Sequence, residues 1–234
     1  MVRFWEVDRE GEKLSSSSPI HVDSYDVDER LAQLGLTREP FVTAANEHFT
    51  AYISCTANHP PTFPGLAAWA EGNRSIRDGL TASGWTRKNE MNQPLVINEA
   101  KTIAITAASG DENTGRADQF PCTRSPKGPR TADAVRINRE QQRFAFMEDP
   151  TPIVASLKIP GRSTWLFLIY RDFEVGELRY ELSRPVTMAD DGYVSDWAER
   201  IVFPPTPLDT DIVRLGRDDG GQSPEITVEI KKLG

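Results

Sequence analysis

The sequence predicts an α+β fold: an N-terminal helical layer packed on a mainly antiparallel sheet, with a three-stranded meander over residues 153–185. Three observations lead there. Apolar residues recur at spacings of three and four through the first third of the chain. From about residue 95 they alternate with polar residues or run continuously. A single later helical stripe, over 131–144, interrupts the strands. A regular β–α alternation, the signature of a parallel sheet, is therefore missing.

Residues 1–8 suit a short edge strand, with Val2 and Phe4 on one side and Trp5 and Val7 on the other. The serines from Ser15 to Ser18 and then Pro19 mark a flexible segment near 9–20. A helix begins near Asp26 or Asp28, carries Leu31 and Leu34, and stops at Gly35. A second starts at Thr37 with Pro40 in its first turn, where a missing N–H costs little. Its face is Phe41, Ala45, Phe49 and Ile53, and His59-Pro60-Pro61 ends it. Leu66, Trp69, Ile76 and Leu80 give a third helix closed by Gly84, with Trp85 packing back. Leu95–Ile97 and Thr102–Ala107 read as strands joined across Asn98–Lys101.

Residues 109–131 show no periodicity. Thr131 can cap the next helix, on which Ala134, Ile137, Gln141 and Phe144 share a face. The expected meander follows: 153–159, then the apolar run Thr164–Tyr170, then the alternating Leu178, Tyr180 and Leu182. Val194, Trp197, Ala198 and Ile201 suggest a short helix. Residues 204–224, rich in Pro, Gly and Asp, read as loop, and Ile226, Val228 and Ile230 as a last strand. With 234 residues and no strong linker after Pro19, the chain is expected to form a single domain over 1–234.

The formal charge is −8. Such a balance argues against a general binder of nucleic acid or of anionic membranes. The charge is uneven, however. Residues 1–48 and 190–234 each carry 10 acidic and 5 basic side chains, whereas 113–144 holds 7 basic against 3 acidic. The middle of the chain is a basic island. No apolar run exceeds about seven residues, so no membrane-spanning helix is expected. The acidic start, MVRFWEVDREGEK, does not read as a secretory leader. Cys55 and Cys122 without a Cys-x-x-Cys pair suggest reduced thiols, and with them a cytoplasmic protein.

The segment 109–131 draws the functional expectation, because long ordered loops are commonly functional. Its first half, Ser109-Gly110-Asp111-Glu112-Asn113-Thr114-Gly115, is an acidic turn at a strand end. Asp111 and Glu112 supply the oxygens that hard cations such as Mg²⁺ prefer. Its second half, Ser125 to Thr131, brings Lys127 and Arg130 to a helix start, whose free N–H groups attract anions. Arg136, Arg139 and Arg143 then repeat at spacings of three and four and extend a basic ridge. The expected ligand-binding set is thus Lys127, Arg130, Thr131, Arg136, Arg139 and Arg143. The premise is that acidic turn and cationic helix entrance face each other across one cleft.

On that premise the chain is a non-catalytic binding module for a phosphate-bearing ligand or nucleic acid. Two alternatives stand beside it. One is a metal-dependent hydrolase or nuclease using Asp111, Glu112 and sheet carboxylates around Glu177. The other is a structural subunit with a protein partner. The segment matches neither a Walker loop nor a dinucleotide fingerprint, and no Gly-x-Ser-x-Gly elbow is present. His48, Cys55, His59 and Cys122 are zinc-type ligands, but their spacing follows no common finger.

Overall fold

The computed structural model describes residues 18–145 and 161–209. Within them the fold is mixed α/β: four helices and an eight-stranded mixed sheet. The order along the chain is β1 (Ile20–His21), α1 (Ser24–Gln33), α2 (Glu39–Ile53), α3 (Phe63–Ala82), β2 (Thr86–Glu90), β3 (Gln93–Ile97), β4 (Ile103–Ser109), α4 (Pro129–Ala145), β5 (Ser163–Asp172), β6 (Glu177–Met188), β7 (Val194–Val202) and β8 (Thr206–Pro207). In space the strands run β1-β7-β6-β5-β4-β3-β2, and β8 pairs with β6.

The helices form where capping and periodicity agree. The Asp23 carboxylate accepts a hydrogen bond from the Tyr25 amide and starts α1. Gly35 ends that unit at φ +70°, a conformation that costs glycine least. α2 and α3 approach closely because two glycines permit it. A Cβ on Gly79 would lie 3.0 Å from Cβ of Pro40, and one on Gly72 would lie 3.2 Å from Cβ of His48.

The sheet has two buried faces. Val27, Leu31, Phe41, Ala45, Ile76 and Leu80 from the first three helices join Ile105, Phe167, Tyr180, Leu182 and Phe203 in one core. The alternate strand residues Ala108, Leu166, Leu168, Val194 and Trp197 pack instead with Val135 of α4. This explains why β5 is apolar on both sides. Asn73 of α3 fastens the first core to β4: its amide donates to the Ala107 carbonyl at 3.1 Å and accepts from the Ala107 amide at 3.0 Å.

Several expectations need correction. The sheet is mixed, with β4–β5 and β1–β7 parallel and the other pairs antiparallel. The meander over 153–185 is not what surrounds β5. Residues 153–159 lie outside the described residues, and both edges of β5 are occupied, by β4 and by β6. Residues 194–201 form strand β7, not a helix. Their apolar residues imitate helical spacing only because Glu199 and Arg200, polar on paper, are buried too. α4 starts at Pro129, so Thr131 sits buried within its first turn and does not cap it. Strand β2, made of Thr-Arg-Lys-Asn-Glu, was not expected, since nothing in it alternates in hydrophobicity. The expected strands at 1–8 and 226–230, and most of the 9–20 and 204–224 segments, lie outside the described residues.

Candidate functional site

The acidic turn is anchored to the sheet from below. Gly110 and Thr123 form a β-bridge, and the Asp111 amide donates to the Cys122 carbonyl at 3.0 Å. The Asp111 carboxylate accepts from the Asn113 amide at 3.2 Å, a local turn closure. Gly115 has φ +75°, and a Cβ there would lie 2.8 Å from Cβ of Arg179. Glycine is thus required by close approach to β6.

Beneath this turn lies a row of buried charges on β5, β6 and β7. Arg200 grips Glu181 with two hydrogen bonds, Nε to Oε1 at 2.9 Å and Nη2 to Oε2 at 2.6 Å. Ser183 Oγ donates to the same carboxylate at 2.6 Å, and the Gly115 amide does so at 2.9 Å. Arg200 also donates to the carbonyls of Gln119 and Arg116. Arg179 pairs with Asp172 at 2.6 Å and reaches the Glu112 carbonyl at 3.0 Å. Trp197 Nε1 donates to the Pro121 carbonyl at 2.8 Å. The loop's lack of periodicity therefore has a structural account: its backbone is satisfied by side chains of the strands below.

Among the described residues no three His, Cys, Asp or Glu side chains gather as a metal would need. Burial pushes the Asp111 carboxyl up, against the opposing effect of its backbone hydrogen bonds. Burial also raises the Cys122 thiol, with Asp111 and Glu112 adding to it, so this cysteine is a poor nucleophile. His48 is buried on α2 against Gly72, with the Arg171 guanidinium 3.2 Å from its Nε2. Burial, and then Arg171, hold its imidazole well below the ordinary histidine range. Cys55 hydrogen-bonds back to the Ala51 carbonyl.

The helix entrance belongs to another place. A cleft of about 350 Å³ is lined by Glu90, Gln93, Lys101, Arg130, Asp133 and Arg162, among others, over a floor including Leu95, Ala134 and Ile137. That volume lies at the lower end of the range for small-ligand sites. Glu90 is its hub. Its carboxylate accepts from Arg162 at 2.9 and 3.0 Å, from Arg130, and from Lys88 at 2.9 Å. Arg130 stands 3.8 Å from Asp133. Lys101 occupies the tight turn before β4 at φ +58°. That turn is closed by Asn98, whose side-chain oxygen accepts from the amides of Thr102 and Ile103.

The shared-cleft premise fails on this geometry. The acidic turn touches the C-terminal end of β5, through Ile169 and the Arg179–Asp172 pair. The helix entrance sits at its N-terminal end, through Arg162 and Thr164. The strand between them spans about 25 Å at ~3.3 Å per residue. Neither Asp111 nor Glu112 lines the cleft.

Of the six expected ligand residues, Arg130 alone lines this cleft. Lys127 Nζ donates to Ser125 Oγ at 2.8 Å, and its amide donates to the Gly192 carbonyl. Thr131 is buried in the first turn of α4. Arg136, Arg139 and Arg143 are exposed on α4; Arg136 pairs with Glu140, and Arg139 Nε donates to the Val186 carbonyl. Sequence reasoning missed Lys101, Arg162 and Glu90. Arg162, directly after Pro160-Gly161 and before an apolar strand, was the one legible signal, since strand ends commonly carry site residues.

Lys88 first, then Arg162 and Arg130, hold the Glu90 carboxyl down to about 2, against the opposing effect of burial. A carboxyl depressed on folding stabilises the fold above its ordinary value of 4.5, and that stability fades as pH falls toward about 2. Glu90→Gln should therefore cost on the order of 2 kcal/mol at pH 7. Denaturant titrations from pH 7 to 2 should find the variant's stability less pH-dependent than the wild type's below 4.5. Parallel curves would contradict this.

No protein-family model, curated protein or solved structure matches this chain. Among the described residues, no helix is long and apolar enough to cross a membrane. What fold and site define is a mixed α/β protein with an arginine-clamped cationic cleft.

Proposed function

We propose that the chain is a non-catalytic binding module that takes a phosphate-bearing ligand in the cleft at the start of α4. The scaffold on this reading is a layer of α1–α3 on one sheet face, with α4 on the other. The observation that carries the reading is convergence: Lys101, Arg130 and Arg162, from three separate segments, line one concave cleft. Glu90 fixes both guanidinium groups by charge-assisted hydrogen bonds, which limits the rotamer freedom lost on binding. Donors not spent on Glu90 can meet an incoming anion. The apolar floor of Leu95, Ala134 and Ile137 suits the non-ionic part of a small ligand.

Binding ranks above hydrolysis because the cleft's part-buried carboxylate, Glu90, is committed to Lys88, Arg130 and Arg162. Asp133 is exposed and stands 3.8 Å from Arg130. Calorimetric titration with pyrophosphate tests the reading. Arg162→Ala and Lys101→Ala should each weaken binding about tenfold, equivalent to about 1.4 kcal/mol. Wild-type affinity should fall steeply between about 50 and 200 mM salt. Equal affinities for all three proteins would reject the cleft as the site.

A further inference from the structure

We infer that the edge of strand β2 that no other described strand covers is a docking site for an extended acidic polypeptide segment, which would add to the sheet as one further antiparallel or parallel strand. This goes beyond the cleft reading and does not depend on it. β2 ends the sheet among the described residues, and Thr86, Arg87, Lys88 and Asn89 are all exposed. The backbone groups it offers follow from its register. β2 and β3 are joined by a two-residue turn, Met91-Asn92, both residues with positive φ, and Glu90 faces Gln93. In such a hairpin the residues flanking the turn exchange both hydrogen bonds, and hydrogen-bonded and open pairs then alternate. Glu90, Lys88 and Thr86 therefore turn their N–H and C=O groups toward β3, while Asn89 and Arg87 turn theirs outward. Pro94 confirms the alternation, because it faces Asn89, the position where no inward N–H is needed.

The charge around this edge selects the partner. On the α3 side, Arg77 Nε is buried without a hydrogen-bond partner, and burial first, then the Arg87 charge, disfavour the Arg77 guanidinium, against the support of Asp78. On the α4 side stand Lys88 and the arginines about Glu90. The nearby carboxylates already serve cations: Asp78 pairs with Arg74 and also supports Arg77, and Glu90 holds its three cations. A second copy of β2 would set Arg87 and Lys88 against themselves and be repelled, as charged edges commonly are. A strand carrying Glu or Asp would relieve the Arg77–Arg87 opposition while its backbone meets Arg87 and Asn89.

The test uses the full chain and two capped octapeptides, Thr-Glu-Val-Glu-Glu-Val-Glu-Thr and its counterpart with lysine at each glutamate. The acidic peptide should bind and shift the backbone amide resonances of Arg87 and Asn89. Asn89→Pro removes an outward N–H while leaving every bond to β3, and should weaken binding about tenfold or more; Arg77→Gln should do likewise. If Asn89→Pro fails to melt cooperatively, the same loss is read from wild type with a peptide N-methylated at alternate residues. The proposal is overturned if the lysine peptide binds equally, if no acidic-peptide binding occurs at millimolar concentration, or if the proline variant and the N-methylated peptide bind as before. It is also overturned if a single-stranded oligonucleotide displaces the peptide at lower concentration. Pyrophosphate titration of Asn89→Pro keeps this result separate from the cleft, since Asn89 does not line it.

Discussion

Arg200→Ala is expected to destabilise the protein by about 3–5 kcal/mol, because it leaves Glu181 as an unpaired charge at 0% exposure. The carboxylate would keep Ser183 Oγ and the Gly115 amide as donors, but lose both guanidinium bonds. The consequence is not confined to stability. Arg200 is also the donor to the Gln119 and Arg116 carbonyls, so its loss frees the middle of the 110–124 segment. Denaturant unfolding should show the loss, and trypsin should cleave after Arg116 and Arg124 faster than in wild type. The double variant Arg200→Met with Glu181→Leu should recover only part of the stability: it removes the buried unpaired charge but leaves the Ser183 hydroxyl and the Gly115 amide without their acceptor. It should not restore protease resistance, because the carbonyls of Gln119 and Arg116 stay without their donor. A single variant within about 0.5 kcal/mol of wild type would show that the pair contributes little.

This network also explains what could and could not be read from the sequence. The helices were legible because their apolar residues recur at three and four, and because Pro40 and Gly35 stand where ends require them. The β5–β6 hairpin was legible because one strand carries the apolar run Trp165–Ile169 and the other alternates at Leu178, Tyr180 and Leu182. β7 was not, since a strand whose inward positions hold Glu199 and Arg200 breaks the polar-outside pattern on which reading depends. β2 was invisible for the opposite reason, as an edge strand whose five residues are all polar. The loop 109–131 carried glycines and acids that resemble a ligand turn. Their spacing instead reflects contact with Arg179, Glu181 and Arg200, residues 66 to 84 positions away. The cleft combines β2, β3, the Lys101 turn, α4 and the stretch 161–164, five segments that only the tertiary fold brings together. Arg130 was found because a helix start beside a cation is a local feature; Arg162 and Glu90 were missed because their meeting is not local.

Asn138 should be the other position of large effect. It is wholly buried on α4, and its side chain is fully used. Nδ2 donates to the Thr164 carbonyl at 2.8 Å and to the Pro185 carbonyl at 2.9 Å, while Oδ1 accepts from the Thr164 amide at 3.0 Å. One side chain thus ties α4 to β5 and to the bulged stretch of β6, where register shifts around Pro185 leave a carbonyl without a regular ladder partner. Asn138→Leu has similar volume but no polar atoms, so three backbone groups lose their partners. At about 1–3 kcal/mol for each buried group left unsatisfied, with partial relaxation, the loss should reach about 3–5 kcal/mol. Asn138→Asp should be nearly as harmful, because it replaces a donor with a carboxylate oxygen facing two carbonyls. The same substitutions bear on function, since α4 carries Arg130 to the cleft. In conditions where Asn138→Leu remains folded, its affinity for pyrophosphate should fall alongside its stability. Arg136→Ala, on the exposed side of the same helix, should alter stability by no more than about 0.5 kcal/mol. Unfolding curves that superimpose for Asn138→Leu and Arg136→Ala would mean that α4 is held by its apolar residues alone.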